Sequence, residues 1–367
     1  MTAAAPAGSD SGITLEHAFD RIAASAAARD AVPTPSFPED AIALLESAGA
    51  LAWNAGWGER SRPPAAAELE LVRRAAWADG SVGRVLDGHI NAVERLIVHA
   101  PDELRERELA EVRRHRLRAG VWGGDPAPGE GPPAALVKQG RADVLRGVKT
   151  FCSGAGGLDR ALVLARDLEP GPPVAVWIDL NDPDRVEVDE RWFRASGLRA
   201  SVSHRVVFHD APVLARFGGP GALGQLPWFA RDALRTSASW AGMADAAVEA
   251  ALSELAARPE RGALEELAAG RILTAQRTIG VGIEHAARAM DDPSPDLAAV
   301  SVHARVAIAG ACRTVLDEAS RACGSRPFAL GGQLDRARRD LGLFLLQHRL
   351  EPLLARAGAA ELEERPR

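Results

Sequence analysis

Basic residues are not in excess, cysteines are scarce, and no long apolar run interrupts the chain. Lysine and arginine number 44 against 50 aspartates and glutamates, a formal net charge of -6. Nucleic-acid binders normally show a basic face, so this balance argues against that class. The cysteines are three, Cys152, Cys312 and Cys323. An odd count without C-x-x-C spacing indicates neither a disulfide framework nor a zinc site, and no metal is expected. A membrane helix needs about 20 consecutive apolar residues, and no such uninterrupted stretch is present, so no membrane partner is expected. Met1–Asp10 is small and polar and lacks the basic-then-apolar order of a secretory signal. Reduced thiols and no leader together imply a cytoplasmic protein.

What is present is a balance of 47% hydrophobic and 26% charged residues over 367 positions, enough for two or three packed units. Residues 13–118 read as helices, within an N-terminal domain of residues 1–118. Leu15, Phe19, Ile22 and Ala23 recur at helical spacing, and residues 41–45 and 69–77 repeat the pattern. Pro33, Pro35 and Pro38 separate the first two helices, Pro63 and Pro64 precede the third, and Leu104–Arg118 reads as a further one.

At residue 119 the texture changes. Residues 120–129, rich in Gly and Pro, cannot be regular helix. Short β-like runs follow at 161–165, 174–178, 186–188 and 206–209, separated by turn residues, which predicts a small antiparallel unit over 119–222. From 223 to 367 helical segments at 228–257, 262–291, 296–323 and 333–357 predict a four-helix bundle, with a turn at Asp291–Pro295 and a solvated tail at Glu361–Arg367. The fold class is thus α+β, mainly α: an N-terminal helical domain, a central β-barrel-like domain and a C-terminal bundle.

Several motifs share this order. Gly147-Val-Lys-Thr-Phe-Cys-Ser-Gly runs into a glycine turn and a second strand at 160–166. Residues 197–213 and the loop 217–221 form a second signature, Val121–Glu130 a third, and Arg336–Asp340 a fourth. Together they resemble the acyl-CoA dehydrogenase family over most of the chain from about residue 116. The resemblance implies FAD between the β domain and the bundle, an acyl-CoA thioester as substrate, and a homodimer or homotetramer. It implies that Phe151 packs on the flavin ring and that Ser153 bonds its reactive edge. Trp122 and Gly124 would hold the ring from the 121–130 loop, and Arg258, Arg261 and Arg326 would grip pyrophosphate, a bidentate task suited to arginine. Glu130, Phe229 and Arg235 would line the substrate site.

The pattern departs from the family at its base. A dehydrogenase removes an α-proton with a carboxylate placed within hydrogen-bond reach. The alignment puts the usual position at Gly331, which cannot serve. Asp232, on the first bundle helix, is the alternative base; it equally suits a paired carboxylate at a helix start. His348 suits a monooxygenase of the same fold that uses reduced flavin and oxygen, since a neutral imidazole can exchange protons with a substrate. Three readings follow: an acyl-CoA dehydrogenase-like oxidoreductase, a reduced-flavin monooxygenase, or a non-catalytic flavin- or acyl-binding relative.

Overall fold

The computed structural model describes residues 13–56, 62–292, 296–347, 349–363 and 365. Five helices open the chain: α1 Leu15–Ala31, α2 Glu39–Ser47, α3 Ala65–Ala78, α4 Gly80–His99 and α5 Asp102–Arg113. Thr14 caps α1 by accepting the His17 N–H at 3.2 Å, and the Asp79 carboxylate caps α4 by accepting from Ser81 and Val82. Pro38 and Pro64 sit just ahead of α2 and α3, where a missing N–H costs nothing. The helix predicted to reach Arg118 stops at Arg113, because His115 turns into the left-handed region with φ 57°.

Seven strands follow: β1 Ala119–Trp122, β2 Ala135–Gln139, β3 Ala142–Cys152, β4 Arg160–Ala165, β5 Val174–Asp179, β6 Val186–Asp189 and β7 His204–Arg216. Their order is β1-β4-β5-β7-β3-β2, with β6 also on β7. β7 is long enough to pair with β5 at one end and with β3 and β6 at the other. The sheet is mixed, since β1 runs parallel to β4. A purely antiparallel unit is therefore not what forms: local alternation marks strands but carries no information on their direction.

Helices resume with α6 Trp228–Ala256, α7 Ala263–Asp291, α8 Leu297–Cys323, a short α9 Arg326–Leu330, α10 Gln333–Gln347 and α11 Glu351–Glu363. The segment predicted as one helix over 333–357 is two. Pro352 falls in the first turn of α11, where proline is tolerated; inside a continuous helix its ring would clash with the preceding turn. The predicted turn at Asp291–Pro295 lies partly outside the described residues, as does the 361–367 tail. α8 is long and apolar enough, by length and composition, to cross a membrane; here it packs against α6 and α7.

α4 connects the three layers through polar side chains that are almost wholly buried. Arg231 of α6 donates to Glu94 of α4 at 2.8 Å, and Arg235 donates to Glu68 of α3 at 2.6 Å and pairs with Glu94 at 2.5 Å. Glu68, Glu94, Arg231 and Arg235 are each no more than 1% exposed. Burial alone would favour neutral Glu94; Arg235 and Arg231 outweigh it and hold the carboxyl at about 2. One turn earlier, His89 bridges to the sheet. Its Nδ1 accepts the Ala119 N–H at 3.1 Å, and its Nε2 lies 2.9 Å from the Leu51 carbonyl, so Nε2 carries the proton. Burial lowers this imidazole to about 4, which keeps it neutral.

Asp340 of α10 is the second joint. It accepts the Leu198 N–H at 2.5 Å and is 3% exposed. Burial raises its carboxyl to about 7, with the Leu198 N–H opposing the rise. A raised folded value means that Asp340 contributes stability fully below its ordinary 3.8, and that the contribution is lost as pH rises towards about 7. At 1.36 kcal/mol per unit the loss is about 4 kcal/mol. Asp340→Asn keeps an acceptor for Leu198 and removes the titration. Its urea midpoint is expected to exceed wild type at pH 8 and to converge with it below pH 4. Parallel stability curves would show that Asp340 is not held neutral.

Candidate flavin shelf

β3 buries Val148, Lys149, Thr150 and Cys152, each at most 2% exposed, yet turns Phe151 outward at 59%. Strand alternation would not bury three successive residues and expose only the fourth of the five. The break comes from a register shift against β7 between Lys149 and Cys152, and from Phe151 itself, whose φ is 54°. For a bulky L-residue that conformation costs of order 1–3 kcal/mol. Trp192 meets Phe151 edge to face, with centroids 4.9 Å apart at 81°. The result is an aromatic shelf at the sheet's end.

The loop 123–131 is bound to this shelf. Lys149 donates to Asp125 at 2.7 Å and to the Gly123 carbonyl at 3.2 Å. The Thr150 N–H donates to the Gly124 carbonyl at 3.0 Å, and its hydroxyl to the Asp125 carbonyl at 3.0 Å. Gly124 is required here for closeness: a Cβ would stand 2.5 Å from the Thr150 carbonyl oxygen. Glu130 accepts from the Ala127 N–H at 2.8 Å and from the Trp192 indole at 3.0 Å, so it braces the shelf from within the protein.

Beneath Phe151, Ser153 is 9% exposed, and its hydroxyl lies 2.8 Å from that of Ser203. Trp122 is 1% exposed and donates its indole N–H to the Ser153 carbonyl at 3.0 Å. It holds the corner from below, and its ring presents no open face. Gly124, Glu130, Phe151 and Ser153 are thus brought together with Trp192, which the sequence motifs did not single out. Its signal was weak, a lone tryptophan in the charged loop 189–194.

Other predicted site residues lie elsewhere. Asp232 is gripped by Arg95 of α4, through Nη2 and through Nε at 3.1 Å, and by Arg235 at 3.1 Å. Burial pushes its carboxyl up, to about 6, against the pull of both arginines. Arg235 is fully buried and committed to Glu68, Glu94, Asn91 and Asp232, so it fastens helices and has no donor directed to a substrate. Phe229 is half exposed in the first turn of α6. Arg258 donates to Glu265 at 3.1 Å and to the Ala322 carbonyl at 2.6 Å, which ties the α6–α7 turn to the end of α8. Arg261 and Arg326 are exposed.

Gly331 caps α9 with φ 69°, a left-handed position that favours glycine. It borders a cavity of about 550 Å³ with Asp30, Ser196, Arg199, Arg336 and Arg339, whose lining includes neither Phe151 nor Ser153. His348 lies outside the described residues. Among the described residues no group of three His, Cys, Asp or Glu side chains is placed to hold a metal ion, and the three cysteines are buried and unbridged.

No family model matches the sequence, and neither does any curated protein. Solved structures do. FMN-bound TdsC from Paenibacillus sp. A11-2 superposes with a TM-score of 0.82 at 19% identity, covering 96% of each chain. Methanesulfinate monooxygenase MsuC from Pseudomonas fluorescens gives 0.80 at 20%, covering 96% of this chain and 97% of that one. The nitrososynthase from Micromonospora carbonacea var. africana gives 0.74 at 23%, covering 89% of each. The chain has the acyl-CoA dehydrogenase-like fold shared by these proteins.

The outward Phe151 predicts an unusual mutational response. Phe151→Gly relieves the left-handed backbone and removes little buried area, so stability by urea denaturation should be unchanged or raised by up to about 1 kcal/mol. A loss above about 1.5 kcal/mol would make Phe151 a packing residue rather than a platform.

Proposed function

We propose that the protein is a reduced-flavin-dependent monooxygenase acting on a small organic molecule, with FMN on the Phe151 shelf. The carrying observation is the clamp of Arg95 and Arg235 on Asp232. Three guanidinium hydrogen bonds fill three of the roughly four lone-pair sites of this carboxylate, which commits Asp232 to fastening α4 and α6 rather than to taking a proton from a substrate carbon. With Gly331 serving as a helix cap, the acyl-CoA dehydrogenase reading lacks its base. TdsC has been solved with FMN, and with FMN and indole, which supports a flavin and a small substrate here.

The shelf suits a planar ring. Phe151 offers an apolar face, Trp192 a wall, and Ser153 a hydroxyl at the edge, while the 123–130 loop is held by buried Lys149 and Thr150 so that its backbone is preorganised. Bound there in reduced form, the flavin would supply activation of dioxygen and transfer of one oxygen atom. The residues do the rest: the aromatic pair excludes water from one face, and Ser153 orients the ring edge. FMN is named rather than FAD because FMN is the flavin bound in TdsC and because Arg258, one of the three predicted pyrophosphate ligands, is engaged by Glu265 and the Ala322 carbonyl.

Anaerobic titration with reduced flavin, followed by mixing with oxygen and a panel of sulfur-containing or indole-like heterocycles, tests this reading. Oxygen consumption coupled to a hydroxylated or sulfoxidised product is expected, with FMN and FAD binding within about threefold of each other, as no contact would reward the adenylate. Asp232→Asn should leave turnover within about threefold and lower stability by about 1–3 kcal/mol, since Arg95 loses a charged partner. Bleaching of bound oxidised flavin by an acyl-CoA, abolished in Asp232→Asn, would overturn the proposal in favour of dehydrogenation.

A further inference from the structure

Ser153 does not stand alone. Its hydroxyl oxygen lies 2.8 Å from Ser203 Oγ, which lies 2.8 Å from Ser201 Oγ. Exposure falls along the row from 9% at Ser153 to 5% at Ser203 and 0% at Ser201. The backbone that builds it is held in an unfavourable conformation. Leu198 and Val202 flank Ser201 with φ of 51° and 39°, and a β-branched residue at positive φ is a genuine outlier. The Gly154 N–H donates to the Ser201 carbonyl at 2.8 Å, and the Trp122 indole to the Ser153 carbonyl at 3.0 Å, so both ends of the row are anchored. Strain of this kind persists where the surroundings impose it.

The protons can be counted. Three hydroxyls carry three protons, and the two links consume two of them. The third proton is left at one end, or on Ser203 if that oxygen accepts from both neighbours; at 5% exposure and with no further side-chain partner among the described residues, a proton stranded there is as costly as one on Ser201. If the row donates from Ser153 inward, the spare proton is on Ser201. That oxygen is fully buried and, among the described residues, has Ser203 as its one side-chain partner. A buried hydroxyl proton without an acceptor is the costlier arrangement. If the row donates from Ser201 outward, Ser203 donates to Ser153, and the spare proton is on Ser153, the end that opens beside Phe151.

We infer that Ser201 and Ser203 are positioning residues that set Ser153 as a hydrogen-bond donor into the shelf. The inference rests on the flavin reading of that shelf and adds to it a polarity: the ligand atom facing Ser153 is an acceptor, such as a ring carbonyl or the unprotonated ring nitrogen of an oxidised flavin. Ser203 acts through Ser153 and touches no ligand itself.

The test is a double-mutant cycle read by binding of oxidised FMN, from quenching of its fluorescence, and by the visible absorbance maximum of the bound ring. Ser153→Ala and Ser203→Ala should each weaken FMN about tenfold, the size of one hydrogen bond, and shift the absorbance maximum alike. The double variant should be no worse than Ser153→Ala, because a residue acting through another is non-additive with it. Ser203→Thr, which keeps the hydroxyl, should bind as wild type. Ser201→Ala removes the inner donor and should weaken FMN in the wild-type background but not in Ser153→Ala. It carries the same test if Ser203→Ala fails to fold by circular dichroism. Wild-type affinity in Ser203→Ala or in Ser201→Ala, or losses that multiply in the double variants, would refute the positioning role and leave the flavin reading intact. A wild-type protein that binds FMN in neither redox state removes the flavin reading, and this inference with it.

Discussion

The fold depends on the neutralisation of Glu94 by Arg231 and Arg235 in the joint between α4 and α6. Two carboxylates and two guanidinium groups, each nearly without solvent, are tolerable only as a complete set. Removing one leaves an uncompensated buried charge. Because these groups come from α3, α4 and α6, the set specifies how the first helices meet the bundle more strictly than apolar contact could. α4 then transmits that placement. His89 bonds the first residue of β1, β1 ends in Trp122, and Trp122 holds the carbonyl of Ser153. The polar contacts of His89 and Trp122, joined by the backbone of α4 and β1, thus connect the bundle joint to the shelf.

The shelf itself is a place where local preference loses. Phe151, Leu198 and Val202 all occupy left-handed backbone that their side chains disfavour, and all three adjoin the serine row. Such positions are retained when the surrounding hydrogen bonds over-determine them. Here the loop 123–131 binds one side of the corner and the Ser201 carbonyl binds the other. Asp232 shows the opposite allocation. Its carboxyl has the raised pKa often found in a general base, but both oxygens accept from arginine, and the electrostatics serve the joint.

Much of the fold was legible before the coordinates. Helix starts at Leu15, Ala65 and Trp228 and strands near 161, 174, 186 and 206 follow from periodicity and from proline and glycine placement. α4 was least legible, because its buried face carries Asp87, His89, Asn91, Glu94 and Arg95, which local pattern reads as a solvated face. The split between α10 and α11 was marked by Pro352, a signal the helical run around it obscured. Trp122 and Arg235 were assigned to ligand contacts on motif position; burial removed both from any open face.

What the sequence determined by itself is the order of elements and the chemical character of the corner Gly147–Gly157, because periodicity, turn residues and short motifs act over a few positions. What only the tertiary structure decided is which side chains are free to do chemistry. Asp232, Arg235 and Arg258 are typical functional residues by type. Their partners lie up to 167 positions away in the chain, as with Glu68 and Arg235, and a pairing across that separation is set by packing of the whole, which no local pattern encodes.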